Sequence, residues 1–310
     1  MILLGRSLRP GSRVREQVQT KSTGDMVEGF RVLSELGRGA ASSIYLVQNP
    51  RSKQVWALKH IVKDDPKDQR FLDQAESEYH VASRLSHPAI RRIERLIKKK
   101  QRLISVRELF LVMELVDGMS LETMRRPEQV DAVHIFHQVA EGLAYMHEHG
   151  YVHADMKPNN IIVSDKMAVK IIDLGQSCAI GTIKPRIQGT PDYIAPEQVH
   201  RRAITPRTDV YNLGATMYWV MTGRNIPTAL AKQDSLVGSL ETHLIERAKP
   251  VVEMYSDVND RLNDLIMQCI EPDPEQRPRD MHRVADRLNL ILGILRAKAE
   301  RRSSDGAPAV

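Results

Sequence analysis

The chain has 310 residues, with 45 Lys and Arg against 39 Asp and Glu, so its formal net charge is 45 − 39 = +6; that length gives room for two lobes and one large core. The basic residues are dispersed, without zinc spacing, a recognition-helix pattern or aromatic–basic interleaving, so no nucleic-acid partner is expected; no apolar stretch reaches the roughly eighteen residues of a membrane helix, so no membrane insertion is expected either. Two cysteines, Cys178 and Cys269, are too few for a disulfide scaffold and imply a reducing compartment, hence a cytoplasmic location.

The segment through Gly24 carries Arg6, Arg9, Arg13, Arg15 and Lys21 against Glu16, among Gly, Ser and Pro, and residues 1–28 read as a basic, disordered leader. Two alternating apolar runs, Phe30 to Leu36 and Ile44 to Val47, then flank a glycine-bearing turn, the pattern of a β-hairpin. In that turn Gly37 and Gly39 allow backbone N–H groups to approach phosphate oxygens, although a loose hairpin tip would have the same composition. Val55 to Val62 is a strand carrying Lys59, which in isolation reads as a solvated face residue. In the next segment Leu72, Ala75, Tyr79, Ala82 and Leu85 form a helical apolar stripe, and Glu78 sits on it while Glu76 falls on another face. An inward carboxylate needs a cation, and a Lys59–Glu78 pair is the natural solution. Lys98-Lys99-Lys100 reads as a solvated hairpin tip. Leu109 to Val116 reads as a buried strand that ends at the Asp117-Gly118 turn, and Val133, Phe136, Val139, Ala140, Leu143 and Met146 follow helical spacing up to a stop at Gly150. His137 and His147, on or near that face, read as packing residues.

Three short segments follow in one order: His153-Ala154-Asp155-Met156-Lys157-Pro158-Asn159-Asn160, Asp173-Leu174-Gly175 and Ala195-Pro196-Glu197. Each of the first two alone is also a common polar turn. Together they place two carboxylates, a cation and an amide in a set that suits phosphoryl transfer, which asks the protein for hard oxygen ligands, charge neutralisation and an orienting base. Asn160 and Asp173 would ligate Mg²⁺, Lys157 would sit near the moving phosphate, and Asp155 would serve as base.

That ordered set resembles the catalytic loop (H-R-D-x-x-x-x-N), the metal loop (D-F-G) and the A-P-E element of the protein kinases. The resemblance runs from about residue 29 to about residue 297. It implies an α+β, bilobal fold: a small antiparallel β-sheet N-lobe with one main helix over 29–116, a mainly helical C-lobe over 117–297, and a disordered tail over 298–310. It also implies ATP as the phosphoryl donor. Leu36, Gly37, Gly39 and Ser42 would belong to the G-x-G-x-x-G loop, with Ser42 in place of the third glycine. Lys59 of the V-A-I-K-like strand would hold the phosphates with Glu78. Glu114 and Val116 would bond the adenine edge beside the gatekeeper Met113, and Leu36, Ile44, Ala57 and Ile162 would sandwich the ring. Asp209 would brace the catalytic loop, and Arg277 would pair with Glu197. Lys157 and Thr190 match the pattern of enzymes that phosphorylate aliphatic hydroxyls. The expected activity is therefore transfer of the γ-phosphate of ATP to Ser/Thr hydroxyls of a protein partner, with Mg²⁺ as cofactor; the sequence leaves the oligomeric state open. Two other readings have distinct markers. A pseudokinase scaffold is suggested by Ser42 but opposed by Lys59, Glu78, Asp155, Asn160 and Asp173, whereas a small-molecule kinase of the aminoglycoside type would lack Lys157-Pro158, Gly189-Thr190-Pro191 and Ala195-Pro196-Glu197. One departure stands out: Ala154 replaces the arginine that many kinases carry before the base.

Overall fold

The structure, a computed structural model, describes residues 21–39, 41–101, 105–227 and 247–305. Most of the expected leader (1–20), Ala40 of the glycine turn and the last five residues of the expected tail lie outside it. The described chain forms two compact units, one of residues up to Asp73 with Ile97–Phe110, the other of Gln74–Leu96 with everything from Leu111 onward.

The first unit is built on a sheet. Its strands are β1 (Met26–Val27), β2 (Phe30–Arg38), β3 (Ser42–Gln48) and β4 (Val55–Val62), and after helix α1 (Gln69–Ala82) come β5 (Ile93–Gln101) and β6 (Ser105–Met113); the sheet order is β1-β2-β3-β4-β6-β5. β2, β3 and β4 pair antiparallel. Alternation along β3 decides the faces: Tyr45 and Val47 are fully buried, whereas Ile44 and Leu46 on the other face are half-buried. Residues 22–28, assigned from sequence to the disordered leader, are instead ordered. The Asp25 carboxylate accepts from the Ser22 N–H at 2.8 Å, the Gly24 N–H donates to the Val32 carbonyl at 2.9 Å and the Val32 N–H donates to the Asp25 carbonyl at 2.9 Å, which closes the turn into β1. Lys99 is likewise not a bare hairpin tip: it lies within β5 and pairs with Glu28 at 2.6 Å.

The second unit is mainly helical. After β7 (Met119–Ser120), α2 (Gln129–Glu148) buries Val133, Phe136, Val139, Ala140, Leu143 and Met146, the residues whose spacing predicts it. It ends where Gly150 takes φ +82°, a left-handed conformation that glycine adopts without a Cβ clash. Short strands β8 (Tyr151–Val152), β9 (Ile161–Val163), β10 (Val169–Ile171) and β11 (Cys178–Ala179) follow, forming the ribbons β10-β9-β7 and β11-β8. The remaining helices are α3 (Pro196–Val199), α4 (Pro206–Thr222), α5 (Val251–Met254), α6 (Asp260–Cys269) and α7 (Met281–Asp305). The expected disordered tail is corrected here too: α7 runs on through residue 305 without a Gly or Pro to stop it after Gly293. α4 is apolar or small on almost every side and is buried along nearly its whole length; at Gly214 a Cβ would come within 2.5 Å of Cys269, so the glycine sets how closely α4 and α6 approach.

One ion pair fastens the end of this unit to its middle. Arg277, 3% exposed, uses all five of its N–H donors: the Glu197 carboxylate takes two in a fork at 2.8 and 3.0 Å, and the carbonyls of Glu271, Pro272 and Arg207 take the others at 2.7–3.0 Å. Glu197 also accepts from Thr208 at 2.9 Å. Removing one member of such a pair strands a buried charge. Arg277→Met should therefore lower unfolding free energy by about 3–5 kcal/mol in urea titrations at pH 7, and a loss under about 1 kcal/mol would show that the pair is not the fastening assigned to it.

Candidate active site

The segment from His153 to Asn160 follows β8 and is held from below by one buried carboxylate. Asp209, in the first turn of α4 and wholly buried, accepts from the N–H of His153 and the N–H of Ala154, each at 2.8 Å, and from His147 Nε2 at 2.8 Å. His147, read from sequence as a packing residue, is thus a hydrogen-bonding one. Ala154 takes φ +60°, strained for a residue with a Cβ. Two bonds oppose that strain: its N–H to Asp209, and its carbonyl to Gln198 Nε2 at 2.8 Å. Gln198 in turn accepts from Ala195 N–H and Asn212 Nδ2, both at 3.0 Å, so it joins the catalytic-type segment to the A-P-E element and to α4. No motif marks Gln198, and the sequence reading missed it.

On this base Asp155, 9% exposed, meets two partners. Thr190 Oγ1 donates to Asp155 Oδ1 at 2.8 Å; Lys157 Nζ donates to the same hydroxyl oxygen at 2.8 Å and lies 3.2 Å from Asp155 Oδ2. Asn160 donates its amide to the Asp155 carbonyl at 2.9 Å, and the Asn160 carbonyl accepts from the N–H of Ile172 at 2.9 Å, which brings Asn160 beside the start of the Asp173 turn. Asp173 takes φ +62°, and its carboxylate accepts from Gly175 N–H at 3.3 Å. A Cβ at Gly175 would come within 3.1 Å of that carboxylate and 2.5 Å of the Gln74 amide, so a side chain here would have to move Gln74. Among the described residues no three His, Cys, Asp or Glu side chains cluster for a metal.

Glu78 is fully buried, as its place on the α1 stripe requires, whereas Glu76 is half-exposed; Arg91 Nη2 lies 3.4 Å from the Glu78 carboxylate. Met113 is fully buried and Glu114, Val116 and Ile162 are half-buried. The Glu114 N–H is taken by the Arg92 carbonyl at 2.9 Å, so its carbonyl is the group it can offer a ligand; the Glu114 side chain is tethered by Lys170 at 2.8 Å.

In the first unit Gly37, Ile44 and Lys59 fall in one cross-strand row over β2, β3 and β4, and Leu46 and Ala57 fall in the next row but one. Ile44, Ala57 and Lys59 therefore share the half-buried face opposite Tyr45 and Val47. Leu36 is half exposed, and Gly39 N–H donates to the Ser42 carbonyl at 2.7 Å, which pins the hairpin tip at the position where Ser42 stands.

The surroundings of Ala154 are apolar. Its methyl group packs with Val152 and Ile204, against Cys178. The segment from Asp173 to Glu197 is fixed around them: Gly181 N–H bonds the Ile204 carbonyl at 2.7 Å, Ile204 N–H bonds Thr182 at 2.9 Å, and Ser177, 4% exposed, turns its hydroxyl to the His153 carbonyl at 3.5 Å. The Lys184 ammonium donates to the Gln176 carbonyl at 2.5 Å, and burial lowers its pKa.

Burial pushes the Asp209 carboxyl up, but the His147 hydrogen bond and the charges of His147 and His153 outweigh it and hold the group below the usual carboxylate range. A carboxyl depressed by folding binds fewer protons in the native state than in the unfolded state, so its stabilisation is complete above the unfolded value of about 4 and is lost as pH falls below it. The stability gap between wild type and Asp209→Asn should thus be widest near pH 7 and should narrow below about pH 4 in urea titrations. A gap independent of pH from 7 to 3 would remove the charge from this role.

A model of the protein kinase domain matches residues 30–287. Among curated proteins the chain is similar to the serine/threonine-protein kinase pkn2 of Myxococcus xanthus, 28% identical over 277 residues that make up 84% of this chain and 32% of that protein. It is 29% identical over 252 residues to the serine/threonine-protein kinase PknB of Mycolicibacterium smegmatis (78% of this chain, 39% of that protein), and 27% identical over 270 residues to the serine/threonine-protein kinase PLK4 of Danio rerio (83% and 27%). The chain thus spans between about a quarter and two fifths of these relatives' lengths. No described helix is long and apolar enough to cross a membrane. The domain match takes in both units and every motif residue from Leu36 to Arg277, and the chain belongs to the protein kinase domain family.

Proposed function

We propose that the chain is an ATP-dependent serine/threonine protein kinase, acting in the cytoplasm on a protein acceptor. The observation that carries this reading is the triangle of Asp155, Lys157 and Thr190. An aliphatic hydroxyl of the kind a serine or threonine acceptor presents already donates to the Asp155 carboxylate at 2.8 Å, with an ammonium 2.8 Å from the same oxygen. A substrate hydroxyl in that place would give its proton to Asp155 as its oxygen attacks the γ-phosphorus and the bond from that phosphorus to the β,γ-bridging oxygen breaks, releasing ADP, while Lys157 offsets charge on the transferring phosphoryl group. Asn160 and Asp173, one amide and one carboxylate beside each other, fit Mg²⁺, which takes few protein ligands and completes its shell with phosphates and water; bound there, the ion would neutralise phosphate charge. In this reading Gly37, Gly39 and Ser42 cover the phosphates, Lys59 and Glu78 align them, the Glu114 carbonyl and Val116 N–H take the adenine edge, and Leu36, Ile44, Ala57 and Ile162 line the ring. The lobes are assigned as 29–116 and 117–297.

Purified protein incubated with Mg·ATP and a generic protein acceptor, with phosphate located by mass spectrometry, tests the activity. Asp155→Asn should cut transfer at least about a hundredfold and leave nucleotide affinity near that of wild type, while Asp173→Asn should weaken the metal-dependent part of nucleotide binding. Near wild-type turnover in Asp155→Asn would show that the base is elsewhere.

The apolar pocket at Ala154 bears on control. An arginine at that site normally pairs with a phosphate on the activation segment; here Val152, Ile204 and Cys178 offer no such partner, and Ser177 is buried. Initial rates of phosphatase-treated wild type and of the Ser177→Ala/Thr182→Ala variant should stay within about tenfold of the untreated enzyme, roughly 1.4 kcal/mol in the barrier. A larger fall would mean that loop phosphate orders the segment through another cation.

A further inference from the structure

The sequence reading gives Glu78 one cation, Lys59. The structure adds Arg91, 13% exposed at its side chain, 3.4 Å from a carboxylate that no solvent reaches. Arg91 is fastened in a second direction by its backbone. Its N–H donates to the Ile171 carbonyl at 3.0 Å, and Ile171 N–H donates to the Ala89 carbonyl at 2.7 Å, making a parallel bridge beside β10. Two residues past Ile171 the chain enters the Asp173 turn, and one residue past it Ile172 N–H holds the Asn160 carbonyl. On α1, one turn before Glu78, the Gln74 side chain lies against Gly175 of that same turn. A single residue therefore reaches the α1 carboxylate with its guanidinium and the strand that leads into the Asp173 turn with its main chain.

We propose that Arg91 is a positioning residue: it holds the Glu78 carboxylate oriented and fixes α1 in register with the Asp173 turn, so that Glu78 can serve the phosphate-binding lysine. This rests on the kinase reading of Glu78 and Asp173. The physical requirement is ordinary: a carboxylate at zero exposure must have charged partners or neutralise. A long guanidinium anchored at its own backbone loses less freedom in meeting that need than a free surface side chain does. Lysine in its place retains the charge, whereas leucine retains the apolar stem alone.

The test uses the whole chain, equilibrium binding of a fluorescent ATP analogue with Mg²⁺, and steady-state kinetics where turnover is measurable. Arg91→Leu should weaken nucleotide binding and raise KM for ATP about tenfold or more, with a smaller effect on kcat. Arg91→Lys should recover most of the loss. In the Glu78→Gln background, Arg91→Leu should add little, because the charge it serves is gone. An unchanged affinity in Arg91→Leu, a lysine variant no better than leucine, or equal effects of Arg91→Leu with and without Glu78 would each overturn the proposal. If Arg91→Leu fails to fold while the double variant folds, the loss of Arg91 from a buried carboxylate is the cause and the pairing stands; if both fail to fold, Arg91 is a core residue only and the proposal falls. Wild type that binds nucleotide but transfers no phosphate would defeat the kinase activity, and the binding series would still decide the role of Arg91.

Discussion

The catalytic-type loop depends on Asp209. A charged group with no solvent contact is costly unless every acceptor site is filled, and Asp209 fills its sites with two successive backbone N–H groups and one imidazole, each at 2.8 Å. This arrangement fixes the peptide planes on either side of His153 and Ala154, forces Ala154 into the left-handed region, and so determines the direction in which Asp155 leaves the chain. Asp155, Lys157 and Thr190 meet on a backbone whose two N–H groups are held by Asp209. The same logic recurs one layer away, where Arg277 fills five donors from one carboxylate and three carbonyls. These two buried ions organise α4, the A-P-E element and the Asp155 loop into one rigid group in which neither the helix nor the loop can shift alone.

The parts of this molecule that a reader of the sequence finds are those where chemistry and periodicity coincide. The β2–β3 hairpin, the α2 stripe and the stop at Gly150 follow from alternation, 3.6-residue spacing and a missing Cβ. Glu78 was separable from Glu76 because two helical steps of about 100° each carry one of them into the core and leave the other on a different face. The Asp155, Asn160 and Asp173 set was legible because turn residues of that kind in that order exceed what a turn needs. What was not legible lies in long-range contacts made by ordinary residues. Gln198 carries no signal in a sequence, yet it bridges Ala154, Ala195 and Asn212. His147 sits on an apolar helix face and reads as packing until Asp209, 62 residues away, arrives beside it. The leader and tail boundaries missed for a local reason: a two-residue strand at Met26–Val27 and a helical extension past Ala297 are settled by neighbours rather than by composition.

Charge placement divides the site into two kinds of cation. Lys157 lies close to the Thr190 hydroxyl oxygen and to the Asp155 carboxylate, the group that the proposed reading gives the acceptor's proton. Arg91 and Arg277 are held by carboxylates buried in the core. Fixed charges of this second kind cost nothing in reorganisation when charge moves at the first.

The methyl group of Ala154 has a consequence for how such a chain can change. Its neighbours Val152, Ile204 and Cys178 close around it so tightly that Ala154 has no solvent exposure. A guanidinium introduced at this one position would have to displace Ile204, whose N–H and carbonyl hold Thr182 and Gly181 in place, and it would arrive with no anion to meet it. Alanine at this position and the apolar plug are therefore parts of one packing arrangement. Passage between a loop that answers to phosphate and one that is set by packing requires several substitutions at once, and each of them alone leaves either a void or an unpaired charge.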